Sequence, residues 1–424
     1  MSNTARIFLA LILGITLGAV LRGSSWGAPV AAFVEPIGIL WLNALRMTII
    51  PLVLALLITS VATTADAARG DQLTLRALAW FAGLLMIGVV FAALCSEAIL
   101  TLWPVSAEAA SALRASVPAS ATPQVPNFAT ALTGILPDNV FAALTAGEML
   151  PIVIFALIFG FAATHINSDA RVALLAPIKA LGDVMMVIVG WVLILAPLGV
   201  AALAYGVGYH TGFSAASAIV QYIVTVSGVL ILQLLFLTYP LALLLSGIAP
   251  VKLLRAFLPA QVLAATTQSS LASLPAMIAS LRGTLDLPER TTHLVLPLAV
   301  ALFRITSPAG NLAVGLFLAH LYGVHLSWGQ VAIGATIAVI GSLSVVGIAS
   351  SVTFFIVLVP MCSAMQVPIA LLPLLLPVEV FPDIWRTVGN VTADMAVTTL
   401  LARQKSLPPS GTSRSGANNT TAPA

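Results

Sequence analysis

Seven polar or charged side chains near the C-terminus fall on one face of a predicted helix that is otherwise apolar. At about 100° per helical residue, they occupy an arc of roughly 120°. Burying a charge in a lipid-like environment costs about 2.5–3.5 kcal/mol on insertion scales, so such a stripe must face partner groups, a ligand or water. The members of this polar stripe are Glu379, Asp383, Arg386, Thr387, Asn390, Asp394 and Thr398.

The chemistry of the polar stripe fits a ligand with one amine and two carboxylates. The planar guanidinium of Arg386 suits a carboxylate, and Asp383 can accept an ammonium group. Asn390 can donate to a second carboxylate, whereas Asp394 has no evident cationic neighbour on this helix and could hold a metal ion. The alternative is an ion pair of Arg386 with Asp383 that serves structure alone. Ionisable groups within a membrane segment are functional by default, which favours binding.

The composition indicates that this helix and its neighbours lie in a membrane. Of 424 residues, 60% are hydrophobic and 7% are charged, against roughly 25% charged in an ordinary soluble domain. A spanning helix needs about 20 apolar residues. Uncharged stretches of that order or longer occur at 47–65, 77–96, 149–168, 184–251 and 305–378. We therefore predict an all-α integral membrane protein.

The ends of the chain and its loops give the predicted orientation. Most loop lysines and arginines fall on one side if the N- and C-termini are cytoplasmic, as the positive-inside rule requires. The stretch from Arg6 to Arg22 fits a first spanning helix better than a signal peptide, because its apolar run is long. Residues 104–133 are expected to form a loop with short helices, and residues 404–424 a disordered cytoplasmic tail. Cys95 and Cys362 indicate neither a disulfide framework nor a metal site.

The uncharged segment 256–281 has basic residues on both flanks, so a single crossing would place one flank outside. Its centre reads TTQSS from Thr266 to Ser270 and leaves about ten apolar residues on each side, too few to cross. We predict that the segment enters the membrane and returns, with one kinked spanning helix as the alternative. Broken polar backbone at membrane depth commonly lines a binding site, which makes Ser269 and Ser270 candidate substrate contacts.

A second segment of this kind runs from 330 to 366, with Gly347 and several serines at its centre. Gly347 is therefore another candidate substrate contact. Two such segments facing opposite ways form an inverted repeat, with the substrate near the membrane midplane. The last third of the chain is predicted to run hairpin, helix, hairpin, helix over 251–281, 291–320, 329–366 and 368–403.

Four sequence motifs resemble those of the dicarboxylate/amino acid:cation symporter family, which includes the glutamate transporters. The most specific is DIWRTVGNVTAD at Asp383–Asp394, and TTQSSLASLP at Thr266–Pro275 resembles the family's serine-rich hairpin tip. LPDNVFAAL at Leu136–Leu144 and LRMTIIPLV at Leu45–Val53 match two further family stretches. The resemblance covers nearly all of residues 6–403.

This resemblance implies an architecture and a mode of transport. It implies eight spanning helices, two re-entrant helical hairpins and a homotrimer in the lipid of the cytoplasmic (inner) membrane. Within the membrane domain 1–403, it implies a fixed scaffold formed by about 1–72 and 137–210. A mobile transport unit, formed by about 73–103 and 211–403, would slide against this scaffold as an elevator.

The resemblance also implies roles for the polar stripe. Asp383 would hold a substrate amine, Arg386 the side-chain carboxylate and Asn390 the α-carboxylate, with Thr387 beside them. Asp394 would help to form a sodium site. An acid at Asp383 favours an amino acid over a plain dicarboxylate. We therefore expect secondary active transport of glutamate or aspartate, or of C4-dicarboxylates, with Na⁺ or H⁺ as coupling ion and no cofactor.

Two departures from the family place sodium coupling in doubt. Phe303-Arg304-Ile305-Thr306-Ser307 stands where the seventh helix of the family carries Asn-Met-Asp-Gly-Thr in its unwound middle. The Asn and Asp that bind sodium are thus replaced, while Ser307 keeps the hydroxyl and is a candidate substrate contact. The third helix has no Ser or Thr at 77–94, where the family places sodium-binding hydroxyls.

Arg304 introduces a fixed positive charge into this region, and Asp394 on the facing helix is its expected partner. Arg304, Asn390 and Asp394 form the predicted ion-coupling group. The alternatives for Arg304 are contact with a substrate carboxylate and a salt bridge that serves packing alone. We expect transport with fewer sodium ions than in the family, or none, driven by protons or by exchange.

Other functional classes fit less well. The main rival is an uncoupled or exchange-type facilitator, or a channel, for small organic anions, since broken midplane helices also build pores. The chain lacks the phosphate-binding G-x-x-x-x-G-K-[ST] loop of an ATP-driven pump. Its five histidines show no ligand spacing, which argues against an enzyme. The net charge of +3 is too small to imply nucleic acid as a partner.

Overall fold

The computed structural model describes residues 3–67, 72–108, 110–111, 138–146, 149–212, 214–344 and 350–404. The long elements of these ranges are helices. The first half of the chain forms α1 Asn3–Leu21, α2 Gly27–Ala67, α3 Gln72–Leu102, α4 Val140–Ala146, α5 Met149–Ala163, α6 Ser168–Ile194 and α7 Ala196–Thr211.

The second half contains shorter helices that meet end to end or side by side. A π-helical turn, Leu234–Thr238, joins α8 to α9, and a 3₁₀ turn, Leu376–Val378, lies between α16 and α17. The helices are α8 Ser214–Gln233, α9 Tyr239–Ser246, α10 Pro250–Thr267, α11 Ser270–Leu285, α12 Glu289–Leu302, α13 Thr306–Tyr322, α14 Trp328–Ser344, α15 Ser350–Ala364, α16 Leu372–Leu375 and α17 Val380–Gln404.

Within the described residues, five helical stretches are long and apolar enough to cross a membrane. They are Gly27–Ala44, Gln72–Leu102, Ser168–Ile194, Ala216–Ser246 and Glu289–Tyr322, and shorter apolar helices accompany them. The prediction of an all-helical protein with several candidate membrane spans is therefore confirmed. The expected tail is described only to Gln404, and most of the predicted loop 104–133 lies outside the described residues.

One group of helices is built from α1, α2, α5, α6 and α7. Helix α1 packs along α7, and α2 packs against α5, α6 and α7. Close approach of α1 and α7 depends on small residues: a Cβ added at Gly18 would lie 2.2 Å from the carbonyl oxygen of Tyr205. Small residues serve this purpose in membrane helices because van der Waals contact drives their association. The indole Nε1–H of Trp41 on α2 donates to the carbonyl of Val192 on α6 at 2.9 Å.

A second group surrounds α17, the helix that carries the polar stripe. Helices α8, α9, α10 and α12 pack against α17, and α3 and α8 pack against α13. The segment predicted as one helix at 368–403 is divided, which corrects the sequence interpretation. Pro373 and Pro377 stand at the starts of α16 and the 3₁₀ turn, where their missing N–H groups cost least.

Helices α10 and α11 form an antiparallel pair. The chain reverses at Gln268, whose φ of 51° is left-handed, and the Ser269 side chain caps α11 by accepting from Ala272 N at 3.2 Å. The Ser280 hydroxyl donates to the carbonyl of Ala256, which joins the far ends of the two arms. The turn predicted within 256–281 is present, with longer arms, and the alternative of one kinked helix is wrong.

Helices α14 and α15 are also neighbours. They pack against each other, and Gln330 near the start of α14 donates to the carbonyl of Met365 just beyond α15 at 3.3 Å. The two helices are thus antiparallel, as the prediction for 329–366 requires. The connection at 345–349, which includes Gly347, lies outside the described residues.

Candidate functional site

The helix predicted at 291–320 is broken in its middle. Helix α12 ends at Leu302 and α13 begins at Thr306, with Phe303 at φ −101° and ψ 73°. The amide of Ser307 donates to the carbonyl of Arg304 at 2.9 Å, so the chain turns tightly before it resumes the helix. The interruption coincides with the position at which the sequence resemblance implies an unwound segment.

A side chain from the polar stripe caps the second half of this broken helix. The Oδ1 atom of Asn390 accepts from the Thr306 amide at 3.0 Å and from the Thr306 hydroxyl at 2.7 Å. The first amides of a helix have no intrahelical partner, so this contact supplies an N-cap from a distant part of the chain. The Nδ2 amide of Asn390 donates to the Ser307 hydroxyl at 3.2 Å and has a second N–H to offer.

Arg386 lies flat against α13 and pairs with two acids. Its Nη2 lies 2.5 Å from Glu379 Oε1, while Nη1 lies 3.7 Å from Asp383 Oδ1. A Cβ added at Gly310 would lie 2.9 Å from Nη2 and 3.1 Å from Nε, so the missing side chain of Gly310 makes room for the guanidinium. The sequence suggested Asp383 as the ion-pair partner of Arg386. The closer partner is Glu379, two helical turns away instead of one.

Glu379 is held on its other side by a residue that the sequence analysis did not single out. The Tyr222 hydroxyl, from α8, donates to Glu379 Oε2. The Tyr222 ring packs edge-on against Phe317 of α13, with centroids 5.3 Å apart. Both side chains are inaccessible, with relative exposures of 0% for Tyr222 and 3% for Glu379. Tyr222, Glu379 and Arg386 therefore form one buried chain of charged and polar contacts.

The sequence pattern of the Sodium:dicarboxylate symporter family matches residues 4–404. The chain belongs to this family. It is therefore a membrane transporter and not an enzyme.

Several relatives of this symporter have names that state what they carry. The chain is 24% identical to the proton/sodium-glutamate symport protein of Geobacillus stearothermophilus, over 94% of this chain and 93% of that protein. It is 24% identical to the proton/glutamate-aspartate symporter of Escherichia coli, over 94% and 92% of the two chains. It is 25% identical to the C4-dicarboxylate transport protein of Deinococcus radiodurans, over 94% and 88%.

The broken helix of the symporter places Arg304 among the acids of α17. The Arg304 side chain is half-buried, within electrostatic range of Asp383 and Asp394, which attract it, and of Arg386, which repels it. The expected partner Asp394 therefore shares the surroundings of Arg304 with Asp383. Both carboxylate oxygens of Asp394 are buried without a hydrogen-bond partner among the described residues.

The tip of the α10–α11 pair lies close to the start of the polar stripe. Gln268 Nε2 donates to the carbonyl of Val380 at 3.2 Å, which brings Ser269 and Ser270 towards this end of α17. Both serines are half-buried. The Thr387 hydroxyl donates to the carbonyl of Asp383 within its own helix at 2.9 Å.

Gln261 on α10 is a further contact that the sequence analysis missed. Its Nε2 donates to the Thr392 hydroxyl of α17 at 2.7 Å and to the Tyr239 hydroxyl of α9 at 2.6 Å. The residue therefore fastens the α10–α11 pair to the helix that carries the site. The sequence signal for this contact was the amide side chain of Gln261 in a mostly apolar helix. A buried polar side chain needs hydrogen-bond partners, so it predicts a contact with another helix.

Proposed function

We propose that this protein is a secondary active transporter of acidic amino acids, with C4-dicarboxylates as the alternative substrate class. The observation that carries the proposal is the burial of Asp383 and Arg386 beside a helix break lined by Ser307 and Asn390. Opposite charges at such a place can bind a zwitterion that carries an additional carboxylate. The names of the glutamate, glutamate-aspartate and C4-dicarboxylate relatives support the same substrate classes.

Each polar group receives a role in this proposal. Arg386 binds the side-chain carboxylate, Asp383 binds the ammonium group, and the second N–H of Asn390 donates to the α-carboxylate. The remaining substrate contacts are Ser307, Thr387, Ser269, Ser270 and Gly347. The first of these shares a hydrogen bond with Asn390, and the two hairpin serines lie beside a tip that touches Val380.

The proposed topology has eight spanning helices and two re-entrant hairpins, formed by α10–α11 and α14–α15. Both termini are cytoplasmic in this topology, the protein lies in the inner membrane and three copies assemble. Reversal of the chain at Gln268 supports the first hairpin, because the uncharged parts of its arms, 256–267 and 270–281, are too short to cross a membrane alone. The basic flanks of this pair, with Lys252 at one end and Arg282 at the other, support its cytoplasmic origin.

The proposed transport unit comprises residues 73–103 and 211–403, and the scaffold comprises about 1–72 and 137–210. Two clusters of buried hydrophobic side chains support this division. Their members all come from α3 or from residues after 233, which belong to the proposed transport unit. The contacts of α1 with α7, and of α2 with α5, α6 and α7, likewise lie within the scaffold, while α2 meets the unit at α14 and α15. The substrate site would lie wholly inside the moving unit.

The proposed coupling differs from that of a sodium symporter. Arg304 brings a positive charge to the break, and Ile305 has no carboxylate to offset it. Two unit charges 4 Å apart interact by about 4 kcal/mol at an effective dielectric of 20, so a sodium ion beside Arg304 is disfavoured. Arg304, Asn390 and Asp394 remain the proposed ion-coupling group, with Asp394 as the group closest in character to a sodium ligand.

Counterflow in proteoliposomes tests whether the protein is a carrier. Vesicles loaded with unlabelled L-aspartate should accelerate entry of labelled L-glutamate, because a carrier returns faster when loaded. The Arg386→Ala variant should lose at least about thirtyfold in affinity for glutamate, since breaking a desolvated charge pair costs about 2–5 kcal/mol. Glu289→Gln, at an exposed salt bridge with Arg282, is the matched control.

Two results would contradict the proposed function. Flux that is insensitive to solute on the far side would indicate the rival channel for organic anions. Unchanged glutamate affinity in Arg386→Ala would remove the assigned carboxylate site.

A further inference from the structure

We propose that Glu379 carries the coupled proton: its carboxylate occupies Arg386 in the empty site and becomes protonated when a substrate carboxylate takes its place. This inference rests on the proposed function, because it requires a substrate with a carboxylate for Arg386. It assigns a proton site to a residue for which neither the sequence analysis nor the comparisons gave a role.

In the structure, Glu379 occupies the Arg386 guanidinium, to which the proposal assigns a substrate carboxylate. Glu379 Oε1 lies 2.5 Å from Nη2, a charge-assisted contact as short as a bound carboxylate would make. The Asp383 carboxylate lies at 3.7 Å and is not within hydrogen-bond distance. The guanidinium is thus already neutralised before any substrate arrives.

The position of Arg386 against Gly310 limits how Glu379 and a substrate carboxylate can compete for its guanidinium. The guanidinium fills the space that a side chain at position 310 would take, and its Nε has no hydrogen-bond partner among the described residues. Movement away from Glu379 would take the charged group out of this fitted position. The guanidinium therefore stays in place, and the carboxylates of Glu379 and the substrate bind it in turn.

The surroundings of Glu379 do not tolerate an unpaired negative charge. Among the described residues, the titratable or charged groups that act on it are Tyr222 from α8 and Asp383 and Arg386 from α17. The Tyr222 ring itself packs against the apolar ring of Phe317 from α13. A carboxylate left there without Arg386 would be a buried, uncompensated charge next to a second acid, which is strongly unfavourable.

Protonation of Glu379 removes this unpaired buried charge. One substrate carboxylate and one proton enter together, the Glu379–Arg386 ion pair is replaced by a substrate–Arg386 ion pair, and Glu379 becomes a neutral acid. Tyr222 can keep its hydrogen bond to the neutral acid, because a protonated carboxyl group still accepts through its carbonyl oxygen. Release of the substrate reverses each step and returns the proton to water.

Proton uptake on binding tests the proposal in the purified protein. L-glutamate is titrated calorimetrically in detergent in buffers of different ionisation enthalpy, which reports the number of protons bound with the ligand. The wild type should take up about one proton per glutamate, and its affinity should fall about tenfold per pH unit where empty Glu379 is ionised. Glu379→Gln, which imitates the neutral acid, should bind glutamate without this uptake and with little pH dependence. Glu289→Gln should behave as the wild type.

The outcomes separate the two proposals. Retained uptake of about one proton in Glu379→Gln, or loss of glutamate binding in a well-folded Glu379→Gln, would overturn the role of Glu379 alone. A wild type that binds neither glutamate, aspartate nor succinate would instead refute the proposed function. Infrared difference spectra give a second measurement: glutamate should produce the carbonyl stretch of a protonated acid in the wild type, and not in Glu379→Gln.

Discussion

At the scale of single residues, the site is defined by which acid faces which arginine. The sequence identified Arg386, Asp383 and Asn390 from helical spacing, and the structure places them together with Ser307. Spacing alone could not choose between Asp383 and Glu379 as the partner of Arg386, because both lie on the same face of the helix. Tyr222, which lies 157 residues from Glu379 along the chain, left no local signal.

The role of Asp383 predicts a change in substrate preference. Asp383→Asn keeps the shape of the side chain but removes the charge that would pair with a substrate ammonium. Affinity for aspartate should fall by at least about tenfold, corresponding to 1.4 kcal/mol or more, while affinity for succinate should change less. Competition binding with both ligands in the purified protein measures the difference. Equal losses for aspartate and succinate would show that Asp383 does not contact the amine.

At the scale of elements, the site depends on the break between α12 and α13. No proline or glycine occurs at 303–305, so neither residue that most strongly interrupts helices marks this position. The stabilising contacts come from α17, where Asn390 caps Thr306 and the carbonyl of Arg386 accepts from the Thr306 hydroxyl at 2.6 Å. The sequence indicated the break only through its resemblance to a family, because these contacts join residues 80 or 84 positions apart.

Removal of the Thr306 hydroxyl tests how firmly α13 is held. Thr306→Val retains the shape but deletes the single O–H donor that Arg386 O and Asn390 Oδ1 share, so the free energy of unfolding should fall by about 1–2 kcal/mol. Glutamate affinity should fall as well, since both partners belong to the site. Thr336→Val on α14, whose hydroxyl bonds only to its own helix, is the control in thermal unfolding and binding measurements. Equal effects of the two substitutions would argue against a special role for Thr306.

At the scale of the whole molecule, composition correctly predicted the helical class but not the extent of each helix. The uncharged stretch 47–65 forms only the second half of α2, which continues through Pro36 and Pro51 for 41 residues. Charge gaps mark apolar stretches and not helix ends, so they could not show this continuation. The pairing of α10 with α11 was predictable because its basic flanks and polar centre are local features of the sequence.

The proposed sliding of the transport unit against the scaffold predicts a state-dependent crosslink. Val53 on α2 of the scaffold and Ile337 on α14 of the transport unit line the same small cavity. A Val53→Cys, Ile337→Cys pair, with Cys95 and Cys362 replaced by alanine, should form a disulfide that stops glutamate uptake and releases it on reduction. Val53→Cys alone should be insensitive to oxidation. Full uptake by the crosslinked protein would contradict movement at this interface.

The central claim is that buried protein charges, Arg304 and Glu379 above all, replace sodium by protons in the transport cycle. Uptake of labelled L-glutamate into proteoliposomes, with choline in place of sodium on both sides and the outside made acidic, tests it most directly. We predict accumulation that collapses when the pH gradient is dissipated and changes little when sodium is added. A strict, cooperative requirement for sodium, with no response to the pH gradient, would contradict the account.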